Sequence, residues 1–317
     1  MTKSASSPVK SPKIKIYSFL NDVVFKWIFG QPVHSRNTIC LLNALLMLTG
    51  RRQIKSVTIL NPFNDREFKE DKLSVVDVKV QDHEGALYIV ELQVLRDPNY
   101  VKRSTYYLAK LYTRQLRSGQ SYEKLQPVTV ISILGFNLFK KSEKIQEIFL
   151  FRNQEGTLSL EKTMALHYLD LTKFKEKKPR NLRTRFEKWL HVLKFGELYG
   201  KMDAELDEAL KMEEGVEDMV KDLKKINADA EKRQLMETRE KTRTVLKSIK
   251  NDSYSRGHKK GKIEGKIEGK IEGKIEGKSE GMAEIITRLH NGGRSIEDIA
   301  SMTGLTPEEI KKLLAAG

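Results

Sequence analysis

The sequence feature that most limits the fold is a pair of neighbouring strand-like segments, "KLSVVDVKVQ" (72–81) and "ALYIVELQVL" (86–95). Over most of their length apolar and polar residues alternate, which is the period of a β-strand with one buried face. The four residues between them, "DHEG", are turn formers and have hairpin length. The two segments are therefore predicted to form a β-hairpin.

Two carboxylates fall inside this hairpin, Asp77 and Glu91. Asp77 points away from the face that Val76, Val78 and Val80 share, because successive side chains alternate across a strand. If "DHEG" forms the turn, residues 81 and 86 pair, and Asp77 lies across from the neighbour of Glu91. Cross-strand neighbours lie roughly 5 Å apart and diagonal ones about 7–8 Å, so the two carboxylates are expected to converge.

Two converging carboxylates repel each other, and their burial costs several kcal/mol unless a cation lies between them. Oxygen ligands of this kind suit a hard divalent ion such as Mg²⁺, which can activate water and neutralise charge on a phosphodiester. The alternative is that Asp77 and Glu91 are ordinary solvated residues of a half-exposed hairpin. The residues alone leave both interpretations open.

Helices and strands alternate on both sides of the hairpin. Apolar residues with a period near 3.6 predict helices, and alternating or short apolar runs predict strands. The helices are expected at 19–30, 35–48, 99–118 and roughly 182–195, and the strands at 54–60, 127–136, 145–151 and 157–169. This mixture indicates an α/β fold.

The character of the chain changes after residue 200, where aromatic residues almost vanish. A charged run at 203–250 predicts one long helix, so we place a domain boundary near residue 200. The expected organisation is a disordered basic tail (1–17), a folded domain (18–200), a helical and repeat segment (201–281) and a small helix-turn-helix-like segment (282–317).

The most conspicuous segment is "GKIEGKIEGKIEGKIEGKSEG" (261–281), which repeats every four residues. In a lone helix, lysine faces lysine and glutamate faces glutamate at i,i+4, and each glycine costs roughly 1 kcal/mol. A partner helix would relieve both costs, so a helical segment that joins subunits or spaces domains is favoured over a flexible linker. A strand is also self-consistent.

The last segment carries a strong helix start, "TPEE" (306–309), in which Thr306 is the N-cap, Pro307 the first residue and Glu309 the partner of a capping box. With Gly304 in the preceding turn, the spacing resembles a helix-turn-helix whose second helix reads DNA. A helical hairpin for oligomerisation fits equally well.

The chain carries a net charge of +15 and a pI near 9.6, so nucleic acid is the first partner to consider and an anionic membrane surface the second. Cys40 is the only cysteine, which suits a reducing compartment. The N-terminus has no apolar signal region, and the longest apolar run, 39–48, is too short to cross a bilayer. A cytoplasmic protein without a membrane partner is expected.

The order of these elements, with D…E-x-Q on the second and third strands, resembles the PD-(D/E)xK phosphodiesterase fold. More narrowly, the sequence resembles the recombination-promoting nuclease / putative transposase family. The resemblance is carried by "NDVVFKWIFG" (21–30), "LLNALL" (41–46), the hairpin (72–94) and "RSTYYLAKLYTRQLRSGQSYEKLQPVTVISIL" (103–134). It implies a restriction-endonuclease-like core, a mixed central sheet flanked by helices, followed by an all-α C-terminal extension.

The resemblance also assigns roles within the hairpin. Asp77 matches the metal-binding aspartate of the second strand, Glu91 matches the acid of E-x-K, and the backbone carbonyl of Leu92 would be a further metal ligand. Asp22 lies where relatives keep an acidic residue that supports the site. A carboxylate at this position would also stabilise the N-terminus of the helix through the helix dipole, and this role explains Asp22 equally well.

The sequence departs from the superfamily pattern at Gln93, which occupies the lysine position and cannot be a cation. The narrower family often has glutamine there. Lys79 lies on the face of Asp77 and could supply a positive charge, although a solvated lysine is the simpler interpretation.

Two basic segments are candidates for DNA contact. Arg103, Lys110 and Arg114 share one face of the helix expected at 99–118, with tyrosines between them. Arg180, Arg183 and Arg185 lie in "KEKKPRNLRTRFEK" (175–188). In both segments the cations could instead be simply exposed.

These observations predict a Mg²⁺-dependent DNA endonuclease that acts in recombination or transposition-like mobility and forms a homo-oligomer through its repeat. The alternative is a catalytically inactive nuclease fold that binds DNA and assembles through the same repeat.

Overall fold

The computed structural model describes residues 15–60, 77–160 and 163–316. Most of the predicted N-terminal tail and residues 72–76 of the hairpin lie outside these ranges. The chain forms two compact units, Met1–Arg243 and Thr244–Gly317. Tyr17, predicted to belong to the tail, is buried, and the Asn227 side chain bonds to both its backbone N–H and its carbonyl, at 2.8 and 2.9 Å.

A six-stranded mixed sheet forms the centre of the first unit. Its strands are β1 (Val57–Leu60), β2 (Val78–Asp82), β3 (Leu87–Gln93), β4 (Val128–Leu134), β5 (Gln146–Leu150) and β6 (Met164–Asp170), in the order β1-β2-β3-β4-β6-β5. β4 is parallel to β3 and β6, whereas the other neighbours are antiparallel. This architecture confirms the predicted α/β fold with a mixed sheet.

Helices cover both faces of this sheet. The first unit contains α1 (Asp22–Phe29), α2 (Ser35–Leu45), α3 (Tyr100–Thr113), α4 (Arg185–Phe195), α5 (Glu208–Lys211) and α6 (Val216–Ala228). α1 begins where the Asn21 side chain accepts hydrogen bonds from the Val23 and Val24 N–H groups. α3 ends at Thr113 and is therefore shorter than the predicted helix, which extended to residue 118.

The strands bury a different set of side chains on each face, as their alternation requires. Val78, Val80, Val90 and the β4 isoleucines pack in the main core with α1, α2, α4 and α6. The opposite side chains, among them Ile89, pack against α3. Each large apolar side chain buried in this way contributes roughly 1.5–3 kcal/mol. By the same alternation, Asp77 and Glu91 lie on the side of the sheet that α3 covers.

The predicted boundary near residue 200 falls inside the first unit, and residues 203–250 do not form one helix. Instead α5, α6 and α7 (Ala230–Asn291) follow one another. The break before α6 lies at Gly215, whose φ of +80° is a left-handed conformation. α6 buries Met219, Leu223 and Ile226 in the main core. Their helical spacing lies within a charged run, so composition alone did not reveal that this segment contributes to the main core.

In the second unit, α7 is helical throughout the four-residue repeat, and α8 (Ile296–Thr303) and α9 (Pro307–Ala316) follow it. Ile286, Ile299 and Ile310 form a small core between these helices. Thr306 and Glu309 bond reciprocally at the start of α9, which confirms the predicted capping box. Within the described ranges, no helix has both the length and the apolar character needed to cross a membrane.

Candidate active site

The hairpin turn sets the position of the acidic pair. The Asp82 N–H donates to the Ala86 carbonyl, and the Asp82 side chain accepts from the Glu84 and Ala86 N–H groups at 2.9 Å. The loop therefore contains three residues, of which Gly85 has a φ of +93°. Residue 81 pairs with residue 87, not with residue 86 as predicted.

This one-residue shift in register moves the two carboxylates closer together. Val78 pairs with Val90, so continuation of the ladder places Asp77 directly opposite Glu91 rather than opposite its neighbour. The Asp77 N–H donates to Glu91 Oε1 at 3.2 Å, and the Leu92 N–H donates to Asp77 Oδ2 at 2.8 Å. Each carboxylate is thus held by the backbone of the opposite segment, as expected for convergence.

Both carboxylates are buried, with only 8% of Asp77 and 5% of Glu91 exposed. Burial, followed by the nearby charge of Asp77, raises the pKa of Glu91 to about 8. Burial also raises the pKa of Asp77, against the opposing effect of the Lys26 charge. The pair therefore resists double ionisation in the absence of another cation, so it is not an ordinary solvated pair.

The cation that contacts the pair is Lys26 of α1, whose Nζ lies 3.0 Å from Asp77 Oδ1. The sequence did not single out this residue, since α1 meets the hairpin only in the tertiary structure. The α1 terminus comes close to the site at Gly30, where an added Cβ would lie 3.5 Å from the Asp77 carbonyl oxygen. A usable signal was the i,i+4 spacing of Asp22 and Lys26, which places an acid and a base on one helix face.

Asp22 lies at the edge of this site. Its side chain is 41% exposed and lies 4.0 Å from the Arg239 guanidinium. Its charge contributes, as a minor cause, to the raised pKa of Asp77. Asp22 is therefore near enough to affect the pair electrostatically, although it contacts a different cation.

A family model described as PD-(D/E)XK nuclease family transposase matches residues 19–252, more than half of the chain. This chain belongs to that family. The match includes α1, the hairpin and α6, and it ends within α7. Comparisons with curated proteins and with solved structures gave no match.

Gln93, which was predicted to occupy the position of the motif lysine, is held by two side-chain hydrogen bonds. Its Oε1 accepts from Arg103 Nη2 at 2.5 Å, and its Nε2 donates to the Leu95 carbonyl. Arg103 also bonds to Asp97 at 2.9 Å, and its charge lowers the pKa of Glu91. The neutral side chain of Gln93 thus holds a guanidinium beside the acidic pair. Lys79, the predicted source of charge, lies opposite Ile89 in the hairpin register.

Two buried hydroxyl groups add a polar side to the site. Ser132 of β4 is the register neighbour of Glu91, and Tyr100 of α3 packs over the same face. The two side chains interact with each other, since hydrogen bonding to Ser132 partly opposes the burial that raises the pKa of Tyr100.

Of the predicted DNA-contacting cations of α3, Arg103 lies at the same site. Arg103 lies beside Gln93, and Tyr107 shares its helix face. Burial and the charge of Glu91 raise the pKa of Tyr107, which places this face near the acidic pair. Lys110 follows one turn later, and Arg114 is the C-cap residue of α3.

The arginines of the second basic segment, 175–188, have two different structural roles. Arg180 and Arg183 are exposed, which leaves them accessible to an anionic partner. Arg185, in contrast, bonds to Glu213 and Glu214 at 2.8 Å each. The structure therefore assigns the Arg185 guanidinium to the contact between α4 and the segment before α6, a role that the sequence did not predict.

The donor set of the acidic pair fits a hard divalent cation, because it consists of oxygen atoms and carries an unfavourable buried charge. In the described ranges, no group of three or more histidine, cysteine, aspartate or glutamate side chains is close enough to hold a metal. Mg²⁺ commonly binds through one or two carboxylates and keeps several waters, so two carboxylates are a sufficient protein contribution.

Proposed function

We propose that this chain is a metal-dependent DNA endonuclease that hydrolyses phosphodiester bonds in recombination or transposition-like mobility. The observation that carries the proposal is the buried pair Asp77 and Glu91, held directly opposite each other, with the Lys26 ammonium in contact with Asp77. Membership of a nuclease family favours this chemistry, and the net charge of +15 favours a polyanionic substrate.

Mg²⁺ is the proposed ion, and Asp77, Glu91 and the Leu92 backbone carbonyl would hold it, with Asp22 nearby. When bound, the ion would supply Lewis acidity and a lowered pKa for a bound water. Lys26 favours the ionised form of Asp77 because an ammonium 3.0 Å away stabilises the carboxylate. We propose that Lys26 also supplies the positive charge that Gln93 lacks.

We further propose that DNA lies across the α3 face. Arg103, Lys110 and Arg114 would contact phosphates near the acidic pair, and Arg180 and Arg183 would extend the contact. Arginine suits this role because its planar guanidinium can bind phosphate oxygens in pairs. A cytoplasmic location fits such a substrate.

The helix α7 supports a second proposal, that copies of the chain assemble through the repeat. Ile263 and Ile267 are 61% and 54% exposed, and a Cβ added at Gly261, Gly265 or Gly269 would have no neighbour within 4 Å. A second helix would cover this surface. Replacing both isoleucines by asparagine should reduce the assembled fraction in sedimentation velocity. An unchanged distribution would contradict the proposal.

The alternative function is a catalytically inactive nuclease fold that binds DNA and assembles through α7. The specific observation in its favour is Gln93, which places a neutral side chain where the superfamily motif has lysine. In this case Asp77 and Glu91 would remain as structural groups, and DNA binding would not depend on a metal ion.

Nicking of a supercoiled plasmid with Mg²⁺ tests the nuclease proposal. Wild-type protein should cleave, whereas Asp77→Asn and Lys26→Met should lose most of the activity while DNA binding, measured by fluorescence anisotropy, stays within about twofold. The matched control is Lys211→Met, which removes a lysine paired with Glu208 away from the site. Cleavage that survives Asp77→Asn would refute the site, and DNA binding without wild-type cleavage would favour the inactive fold.

A further inference from the structure

The guanidinium of Arg103 is held by three different groups of the chain. Its Nη2 donates to Gln93 Oε1 at 2.5 Å, and its Nη1 donates to Asp97 Oδ2 at 2.9 Å. Its Cζ lies 4.8 Å from the centre of the buried Tyr100 ring, a distance at which an aromatic face attracts a cation. Gln93 ends β3, Asp97 lies in the connection, and Tyr100 begins α3. The guanidinium is therefore fixed from three positions.

Asp97 is itself held by the backbone at the start of α3. Its Oδ1 accepts from the Asn99 N–H at 2.9 Å, and its carbonyl accepts from the Tyr100 N–H at 3.1 Å. The acceptor for Arg103 Nη1 thus belongs to the same helix start that carries Arg103. This arrangement fixes the direction of the guanidinium before any ligand binds.

The guanidinium has donors left after these bonds. An arginine carries five N–H groups in a planar fork, and the bonds to Gln93 and Asp97 use two of them. Arg103 Nε is buried without a hydrogen-bond partner among the described residues, and a buried donor of this kind ordinarily bonds to water or to a ligand. The side chain as a whole is 34% exposed, so an oxygen ligand can reach the fork.

Arg103 lies next to the acidic pair. Gln93 follows Glu91 by two residues on the same face of β3, so their Cα atoms lie about 6.6 Å apart. Burial and Asp77 raise the pKa of Glu91, and the charge of Arg103 opposes them. Lys26 approaches from α1 and contacts Asp77, whereas Arg103 approaches from α3. Each carboxylate therefore has a cation from a different helix.

A lysine at position 93 and the observed place of Arg103 exclude each other. An ammonium group cannot accept a hydrogen bond, and two cations at hydrogen-bond distance repel each other. The amide oxygen of Gln93, in contrast, accepts from the guanidinium. The neutral residue at 93 and the arginine at 103 therefore form one arrangement, in which the cation comes from the helix and the strand supplies its acceptor.

We propose that Arg103 is the phosphate-binding cation that takes the place of the motif lysine, and that Gln93 is the residue that positions it. This inference rests on the proposed nuclease function, in which the bound phosphate is the one that is cleaved. Lys26 keeps a separate role, which is to balance the charge of Asp77.

The proposed role concerns charge on the phosphate. Hydrolysis joins a water oxygen to phosphorus and breaks one bond from phosphorus to a sugar oxygen. One water proton passes to that sugar oxygen, and the other stays on the phosphate. Arg103 would donate to the non-bridging oxygens, where a preorganised donor stabilises the charge that develops in the transition state.

A double-mutant cycle in steady-state plasmid nicking with Mg²⁺ tests the positioning role. Arg103→Met should lower kcat about 100-fold, the usual cost of losing one preorganised donor, and should change KM by less than about threefold. Gln93→Met removes the acceptor and should lower kcat about tenfold in wild type, but by less than about twofold in the Arg103→Met background. Additive losses would overturn the role of Gln93. The control is Lys102→Met, an exposed lysine of the same helix, which should keep the wild-type kcat.

Exchange of the two cations tests whether Arg103 replaces the motif lysine. Gln93→Lys combined with Arg103→Met places an ammonium at the motif position and removes the guanidinium. This variant should recover at least tenfold of the kcat that Arg103→Met loses, and a variant no more active than Arg103→Met would overturn the replacement. Urea unfolding checks that both are folded. If Arg103→Met unfolds, Arg103→Lys carries the test, because it keeps the charge but cannot bond to both acceptors, and a wild-type kcat would overturn the proposal.

DNA binding without metal separates this proposal from the nuclease proposal. In EDTA, the logarithm of the affinity for duplex DNA falls with the logarithm of salt concentration by about 0.9 per phosphate contact. Arg103→Met should lower this slope by about 0.9, and the exchange variant should restore it. An unchanged slope would overturn the phosphate contact. If wild type does not cleave, the nuclease proposal fails, and the slope alone decides whether Arg103 binds phosphate.

Discussion

Replacing Glu91 by glutamine should remove a pH-dependent loss in the free energy of unfolding of the first unit. Glutamine keeps nearly the shape of the side chain and can still accept a hydrogen bond from the Asp77 N–H, but it cannot ionise. The folded protein holds the Glu91 pKa at about 8, raised from 4.5 by burial and by Asp77. The substitution therefore isolates the cost of a buried charge from the cost of an altered shape.

The sign of the effect follows from proton linkage. Below pH 4.5 Glu91 is protonated in both the folded and the unfolded chain, and its contribution to stability is fully present. Between pH 4.5 and 8 the unfolded chain releases the proton first, so the free energy of unfolding falls as the pH rises. A difference of about 3.5 pKa units corresponds to at most about 5 kcal/mol. We expect Glu91→Gln to gain about 2–5 kcal/mol relative to wild type between pH 5 and 8.5.

Urea unfolding followed by tryptophan fluorescence measures this difference. The two tryptophans of the chain, Trp27 and Trp189, both lie in the first unit, so the signal reports on that unit. Glu84→Gln serves as the control, because Glu84 is an exposed carboxylate at the turn of the same hairpin. Its pH dependence should match that of wild type.

Mg²⁺ supplies a second comparison on the same samples. If Glu91 binds the ion, saturation at about 100 times the dissociation constant should stabilise wild type by about 2.7 kcal/mol and should stabilise Glu91→Gln much less. Parallel pH profiles for wild type and Glu91→Gln would refute the reasoning, since they would mean that Glu91 does not stay protonated in the folded unit.

Three further predictions concern packing and charge. Arg185→Ala should destabilise the first unit by about 1–3 kcal/mol, because it removes a guanidinium that bonds to both Glu213 and Glu214. Arg183→Ala, in contrast, should leave stability unchanged and weaken DNA binding with a smaller salt slope. Gly215→Ala should lower the melting temperature of the first unit, since φ is +80° and the new Cβ would meet Cys40 Sγ at 2.7 Å. Ile299→Ala should cost the second unit about 2–5 kcal/mol by opening a cavity in its small core, seen as reduced helical circular dichroism on heating, without changing tryptophan fluorescence.

Much of the fold and part of the site could be predicted from local patterns. Alternation in the two hairpin segments predicted β2 and β3 and the convergence of Asp77 with Glu91, because side-chain direction follows from strand period. The capping residues at Thr306 and Glu309 predicted the start of α9 for a similarly local reason. The predicted pairing register of the hairpin, in contrast, was wrong by one residue. Hydrogen bonds to the Asp82 side chain close a loop of three residues, not the expected four.

What the sequence by itself determined is the set of elements and the family, because both depend on short-range spacing and on motifs within single segments. Only the tertiary structure decided which charges meet. In the folded chain Lys26 of α1 contacts Asp77, and Arg103 donates a hydrogen bond to Gln93. Arg185 forms ion pairs with Glu213 and Glu214. The physical reason is that burial and ion pairing depend on distances between residues far apart in the chain, and composition and periodicity carry no record of those distances.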